Sequence, residues 1–125
     1  MKSSPALCLL LALGVWACGS SKDVELNARR MTGGDPSRGP ALVRKYGCGS
    51  CHIIEEMPEA KGLVGPPLTG IAKRVYLAGQ LPNTPENMMR WIRDPQSIER
   101  GTAMPNVGVT EQDGRDLAAF LYTLR

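Results

Sequence analysis

The sequence predicts a small all-α domain built from three to four short helices and the loops between them. Two observations predict this class. Residues typical of helix starts are followed by apolar residues at helical spacing, and no segment alternates apolar and polar residues long enough to form a sheet. The chain has 125 residues, which allows one domain. Its 14 glycines and 10 prolines indicate that the helices are short and separated by substantial loops.

Three helices have clear start signals, and a fourth is weaker. Asp35 followed by a proline predicts a cap and a first-turn proline, and Gly47 ends this first helix. Thr84, which also precedes a proline, starts a second helix. Thr110 starts a third helix near the end of the chain, where leucines recur at helical spacing. The weaker helix is predicted over 68–77.

Residues 1–17 are predicted to be a signal peptide of the lipoprotein type. Their apolar core over 6–17 is shorter than the roughly 17–25 residues that a spanning helix needs. Cys18 follows a small residue, and this arrangement resembles a bacterial lipoprotein signal, in which the cysteine becomes the lipidated first residue. We therefore expect an exported protein, anchored by lipid at the periplasmic side of a membrane. The alternatives are an uncleaved anchor and ordinary cleavage, which would give a soluble periplasmic protein.

The rest of the chain is predicted to form a flexible tether over residues 18–34 and one folded domain over residues 35–125. The tether mixes small, polar and charged residues without a sustained apolar period. The net charge of +3 is spread along the chain without a basic run, so no nucleic-acid partner is predicted. Aromatic residues make up only 5% of the chain, which leaves a small core short of large side chains.

The chemistry lies in one short motif. Cys48 and Cys51 are the only cysteines of the predicted domain, and His52 is the only histidine of the chain. Two cysteines separated by two residues and followed by histidine are typical of c-type haem attachment. The two sulfurs form thioethers with the porphyrin, and the imidazole binds the iron. The motif therefore predicts one covalent haem c, which also completes the core.

Three other interpretations of the motif are weaker. A thioredoxin-like redox site requires a βαβ setting, and the flanking sequence has no strand pattern. A structural zinc site needs four ligands, which the domain does not offer. A structural disulfide between Cys48 and Cys51 would close a very small loop and leave His52 unexplained.

A second protein ligand to the iron is expected to be a methionine, because there is no second histidine. Met104 is the favoured ligand, because it lies in a non-periodic loop limited by a proline and far along the chain from His52. The other methionines considered, which we expect to lie in the tether, too close to His52 or in the core, are Met31, Met57, Met88 and Met89.

Over residues 35–125 the chain resembles a class I, monohaem cytochrome c. The resemblance rests on the order and spacing of five short motifs: Tyr46-Gly47 before Cys48–His52, residues 65–70 (GPPLTG), residues 91–95 (WIRDP), residues 101–105 (GTAMP) and the closing helix. It implies that the first and last helices cross, with Gly39 at the close approach and with Val43, Leu117 and Phe120 packed there.

The resemblance also implies contacts around the haem. The backbone carbonyl of Pro66 is expected to accept the second N–H of the His52 imidazole, which orients the ring. Arg74 and Trp91 match positions that bind the haem propionates in the family. The alternatives for these two residues are a solvated charge and a core ring.

With both axial positions filled by protein, we expect electron transfer by Fe(II)/Fe(III) cycling and no enzymatic activity. The expected donor is a quinol-oxidising complex, and the expected acceptor is a terminal oxidase or reductase. The protein would act as a respiratory carrier or as an electron-transfer subunit of a larger complex. The alternative is a haem peroxidase or gas sensor in which Met104 leaves the iron.

Overall fold

The structure is a computed structural model that describes residues 19–125. The predicted signal peptide over 1–17 and Cys18 lie outside the described residues. The helices are α1 (Ser21–Thr32), α2 (Gly39–Tyr46), α3 (Pro85–Arg93), α4 (Pro95–Ile98) and α5 (Glu111–Leu121). Strands β1 (Tyr76–Leu77) and β2 (Leu81–Pro82) form an antiparallel hairpin, and single 3₁₀ turns cover Pro36–Arg38, Cys48–Ser50 and Ile71–Lys73. The all-α class is confirmed. Within the described part, no helix is both long and apolar enough to cross a membrane.

The three helix starts with clear signals are present. Asp35 caps the Pro36–Arg38 turn, which leads directly into α2, and α2 ends at Gly47 with a positive φ of 70°. The Thr84 hydroxyl accepts the N–H of Asn87 at 3.3 Å at the start of α3. Thr110 caps α5 in the same way, at 3.2 Å from the backbone N of the third helical residue. These caps satisfy N–H groups that have no partner within the first turn of a helix.

The predicted tether is wrong for most of its length, because residues 21–32 form α1. Ser20 and Asp23 form a reciprocal capping box at its start, with hydrogen bonds of 3.3 and 2.9 Å. Ala28 and Thr32 are buried, and α1 packs against α5. Its buried face consists of small side chains, so the apolar period that usually signals a helix is missing from the sequence. Arg29 also forms an ion pair with Asp35 at 2.6 Å.

The predicted helix over 68–77 is also wrong. Gly70 has a positive φ of 63° and is followed by only one 3₁₀ turn. The Asn83 side-chain amide donates to the carbonyls of Ile71 and Arg74 at 2.9 and 2.8 Å, and these are carbonyls that a continued helix would use itself. The chain then enters the β1–β2 hairpin. Its strands are two residues long, which is too short for alternation to be visible in the sequence.

The crossing of α2 and α5 is as the resemblance implied. A Cβ on Gly39 would overlap the Cβ and Cγ atoms of Phe120, so only glycine permits this approach. Val43 and Leu117 are each 2% exposed in the core beside it. The buried carboxylates of α5 join the two helices: Asp113 binds Lys45 and Tyr46 of α2, and Asp116 binds Arg38.

Candidate functional site

A cleft of about 450 Å³ opens between α2, α3, α5 and the loops that connect them. This volume lies within the range of about 300–1,000 Å³ that is typical of ligand and cofactor sites. Its inner wall is made of buried apolar side chains from the core, namely Val43, Ile71, Leu77, Met88, Ile92, Leu117 and Leu121. The cleft therefore suits a group with a large apolar surface.

The two cysteines line one side of this cleft with free thiols. The backbone folds into one 3₁₀ turn at Cys48–Ser50, and the N–H groups of Cys51 and His52 both donate to the carbonyl of Cys48, at 3.2 and 3.0 Å. Burial raises the pKa of the Cys48 thiol. Gly62 packs so closely on the backbone of this turn that a Cβ would overlap it, which fixes the loop beneath the cleft.

His52 also lines the cleft, and one of its ring nitrogens is already engaged. Nδ1 lies 2.7 Å from the carbonyl oxygen of Pro66. A carbonyl oxygen can only accept, so Nδ1 carries the proton and donates it. In the neutral imidazole, Nε2 then holds a lone pair, and it forms no hydrogen bond with any of residues 19–125. Gly65 packs on the ring, where a Cβ would come within 2.7 Å of Nδ1. The ring is therefore held with a metal-binding nitrogen free.

Met104 lies on the cleft in the loop between α4 and α5, and its side chain is partly buried. Sequence analysis missed the residue that holds this loop, Gln96 of α4. Its side-chain amide donates to the carbonyls of Thr102 and Met104 at 2.8 and 3.1 Å, and its carbonyl oxygen accepts the N–H of Gly101 at 3.2 Å. One side chain thus fixes both ends of the turn that carries Met104. Only the three-dimensional fold shows this role, because a surface glutamine has no distinctive signal in the sequence.

The other methionines are less well placed. Met57 is 2% exposed in the core, and Met31 is 41% exposed on α1. Neither of them lines the cleft, and Met89 does not line it either. Met88 does line the cleft, but it is 1% exposed and packed into the core. Among the described methionines, Met104 is therefore the one on the cleft that is not also a core residue.

Arg74 and Trp91 both line the cleft and are partly buried. The guanidinium of Arg74 donates to the backbone carbonyls of Pro67 and Thr69, so it is engaged by the protein itself. Asn83 holds the Arg74 backbone, and the Tyr122 hydroxyl donates to the Asn83 side chain at 2.8 Å. Burial raises the pKa of Tyr122 to about 12, so this hydroxyl remains a donor at neutral pH.

The donors on the cleft fit a covalent haem better than the other interpretations. Two free thiols, an imidazole with Nε2 available and a thioether share one apolar cleft. Within residues 19–125 no group of three or more His, Cys, Asp or Glu side chains could hold a metal ion, which argues against a structural zinc site. The two-residue strands of the described chain offer no βαβ unit for a thioredoxin-like site.

Comparison with known proteins agrees with this geometry. The family model for cytochrome c matches residues 36–125. The chain is 33% identical over 117 residues to cytochrome c2 iso-2 of Rhodospirillum centenum, covering 70% of this chain and 93% of the relative. Cytochrome c2 iso-1 of the same organism is 34% identical over 119 residues, covering 72% and 96%.

A longer relative is cytochrome c oxidase subunit 2 of Alkalihalophilus pseudofirmus, which is 32% identical over 111 residues. The alignment covers 88% of this chain but only 30% of that subunit. No solved structure matches the chain significantly. The cleft, its two thiols and the match over most of the chain agree on one assignment. The chain belongs to the cytochrome c family, binds haem c covalently through Cys48 and Cys51, and is an electron carrier rather than an enzyme.

Proposed function

We propose that the protein is an exported respiratory electron carrier, held at the periplasmic side of a membrane by a lipid on Cys18. It receives electrons from a quinol-oxidising complex and delivers them to a terminal oxidase or reductase. His52 and Met104 would hold the haem iron. The single observation that carries the carrier role is that both side chains lie on one apolar cleft, with Nε2 of His52 free. Two protein ligands leave no position open for a substrate.

The haem supplies one-electron chemistry by cycling between Fe(II) and Fe(III). The protein provides the geometry. Pro66 fixes the tautomer and orientation of His52, Gln96 fixes the loop of Met104, and mainly apolar side chains line the cleft that both residues share. Trp91 and Arg74, both on the cleft, are proposed to face the propionates. A thioether ligand favours the ferrous state relative to harder donors, which suits a carrier downstream of quinol oxidation.

The redox route is tested with the purified holoprotein in its full mature form. The protein is reduced with ascorbate and mixed with membranes from the organism that encodes it, and oxidation is followed in the haem absorbance. We expect rapid oxidation that inhibitors of the terminal oxidase or reductase abolish. Oxidation by ferricyanide but not by these membranes would contradict the proposed acceptor.

A second candidate role is a fixed subunit of an oxidase or reductase complex. It is favoured by the alignment of 88% of this chain with part of a protein named cytochrome c oxidase subunit 2. Extraction of membranes in mild detergent distinguishes the two roles. A mobile carrier is expected to separate from the respiratory complexes on size-exclusion chromatography, whereas a fixed subunit remains with one of them.

The lipid anchor is tested by mass spectrometry of the mature N-terminus. We expect a diacylglyceryl-modified Cys18 with no residue before it, and an additional acyl chain on its amine, because one chain alone binds a membrane only marginally. A Cys18→Ala variant should lose membrane retention. An unmodified N-terminus at residue 19 or later, in a protein soluble without detergent, would contradict the anchor.

The peroxidase or gas-sensor alternative requires Met104 to leave the iron. None of the relatives reported above is named as a haem peroxidase or a gas sensor. Carbon monoxide added to the native ferrous protein distinguishes the alternatives, because a carrier with both ligands in place should not bind it at neutral pH. Stoichiometric binding would favour the alternative.

A further inference from the structure

Four segments border the cleft, and none of them contains Asp, Glu, Lys or Arg. They are residues 46–54, 62–72, 75–85 and 101–110, and each contributes side chains to the lining. All the charged residues of the described chain lie outside these segments, although charged residues are 22% of the sequence. We call the exposed residues of these four segments the charge-free border. The side chains of these segments thus carry no fixed charge, and the exposed residues Lys61, Lys73 and Arg100 adjoin them in the sequence.

Large apolar side chains project from this charge-free border. Leu63 is 83% exposed and Val75 is 74% exposed, and neither lines the cleft itself. Each directly precedes an exposed residue that does line it, Val64 at 71% and Tyr76 at 58%. Contiguous exposed apolar side chains are unusual on soluble proteins and mark interaction surfaces. The border is thus apolar as well as uncharged.

Two charged residues line the cleft, and both lie outside the charge-free border. Arg74 is partly buried, and its guanidinium donates to the carbonyls of Pro67 and Thr69. Glu99 is partly buried at the end of α4. An acidic partner would be recognised by exposed cations within the docking surface, and the charge-free border itself contains none.

We infer that the charge-free border is a docking surface for a redox protein whose own electron-transfer face is apolar and uncharged. The inference rests on the proposed carrier role, because electrons leave close to the group that Cys48 and Cys51 hold. Burial of Leu63 and Val75 against an apolar face stabilises such a complex without attraction between charges. The association rate should then depend only weakly on salt, unlike that of electrostatically steered partners.

Electron self-exchange between ferrous and ferric copies of the holoprotein tests this surface without the natural partner, because each copy presents the charge-free border to the other. NMR exchange spectroscopy gives the second-order rate constant. Between about 20 and 500 mM salt, a range in which the screening length falls severalfold, we expect a change of less than about twofold. A wild-type rate that changes about tenfold over this range would overturn the inference.

A matched pair of variants tests whether the two copies dock through the charge-free border during self-exchange. Leu63→Lys places like charges face to face in the self-exchange complex, so the rate should fall about tenfold at low salt and recover as salt rises. Leu26→Lys makes the same change on α1, where Leu26 is 46% exposed and does not line the cleft, and should leave the rate unchanged. Equal slowing in both variants would contradict docking at the charge-free border.

The membrane-oxidation experiment tests the proposed acceptor, and the self-exchange experiment tests the docking surface, so the two proposals can fail independently. Salt-independent self-exchange that only Leu63→Lys disturbs, combined with failure of membranes to oxidise the protein, would reject the proposed acceptor and support the surface. Oxidation by membranes combined with strongly salt-dependent self-exchange would support the carrier role and reject the apolar docking surface.

Discussion

At the scale of single residues, the site depends on hydrogen bonds that position His52 and the loop of Met104. The Pro66 carbonyl determines which His52 nitrogen carries the proton, and it therefore determines which nitrogen can bind a metal. Gln96 bonds three backbone groups of the Met104 loop from a different helix. Each proposed ligand, His52 or Met104, thus has its own positioning partner, and the two partners lie on separate segments of the chain.

Met104 and Met88 both line the cleft, so replacing each in turn distinguishes a ligand from a core residue. Met104→Ala should remove the sulfur-to-iron charge-transfer band of the oxidised protein and allow the ferrous form to bind carbon monoxide. Met88→Ala should keep the band and lower the free energy of unfolding by about 2–5 kcal/mol, because its side chain is fully buried. Absorbance spectra and chemical denaturation measure the two effects. Persistence of the band in Met104→Ala would mean that another methionine binds the iron.

The sequence predicted the site residues because their chemistry is rare and their spacing is specific. Cys48, Cys51, His52 and Met104 all line the cleft, and the contact between Pro66 and His52 is present. Gln96 and Asn83 could not be predicted in this way. Each acts through hydrogen bonds to backbone groups, and the fold determines which backbone groups lie within reach of a polar side chain.

At the scale of elements, the crossing of α2 and α5 depends on one glycine. Alanine is the better helix former, so Gly39→Ala would stabilise an isolated helix by about 1 kcal/mol. In the protein its Cβ would overlap Phe120, and we expect a net loss of about 1–3 kcal/mol in the free energy of unfolding. The control is Gly19→Ala, whose Cβ would have no neighbour within 4 Å. Thermal denaturation with equal stability in both variants would show that the close approach is not required.

The same two helices are joined by a buried carboxylate, which predicts a dependence of stability on pH. Hydrogen bonds from Lys45 and Tyr46 hold the pKa of Asp113 below its ordinary value of 3.8, which applies in the unfolded chain. The carboxylate therefore stabilises the fold above that value, and the contribution is lost as pH falls through the lower, folded pKa. Asp113→Asn should be less stable than wild type at neutral pH and should lose less stability on acidification.

Chemical denaturation between about pH 7 and pH 3 measures this difference. Glu59→Gln is the control, because the ion pair between Glu59 and Arg44 is exposed on both sides and is expected to contribute little. A parallel loss of stability with acid in the wild type and in Asp113→Asn would contradict the assigned role of Asp113.

The sequence predicted the starts of α3 and α5 from their capping residues. It did not predict α1, which has no apolar stripe. Thr84 and Thr110 cap the helices that the sequence predicted. The helix α1 has an equally good start at Ser20, but its buried face is made of small residues, so the composition indicated a tether. Over 68–77 the apolar residues suggested a helix, whereas the positive φ of Gly70 and the amide of Asn83 end it after one turn. Tertiary contacts outweigh local preference in both segments.

At the scale of the whole molecule, core side chains line the cleft. Binding of the cofactor and stability of the fold therefore depend on each other. The cleft is open to solvent and lined mainly by apolar side chains, so a bound haem removes apolar surface from water, which is worth about 25 cal/mol per Å². A typical domain is stable by only about 5–15 kcal/mol, so this burial is a large contribution. Covalent attachment of the haem therefore contributes to folding as well as to redox chemistry.

Removing both attachment points should show this dependence. In a Cys48→Ala, Cys51→Ala double variant we expect no haem stain on a denaturing gel, weak near-ultraviolet circular dichroism and no cooperative thermal transition. Ser50→Ala lies between the two cysteines and is the control, with stain and cooperative unfolding retained. Retained stain in the double variant would contradict attachment through these sulfurs.

With the proposed lipid on Cys18, the docking of α1 on α5 would limit how far the domain could move from a membrane. Only Gly19 and Ser20 separate Cys18 from the first residue of α1, and an extended chain spans at most about 3.3–3.6 Å per residue. A lipid on Cys18 would thus hold the start of α1 within roughly 10 Å of the bilayer. Such a domain would meet its partners by lateral diffusion within the plane of the membrane. Their redox centres would have to lie close to the lipid headgroups.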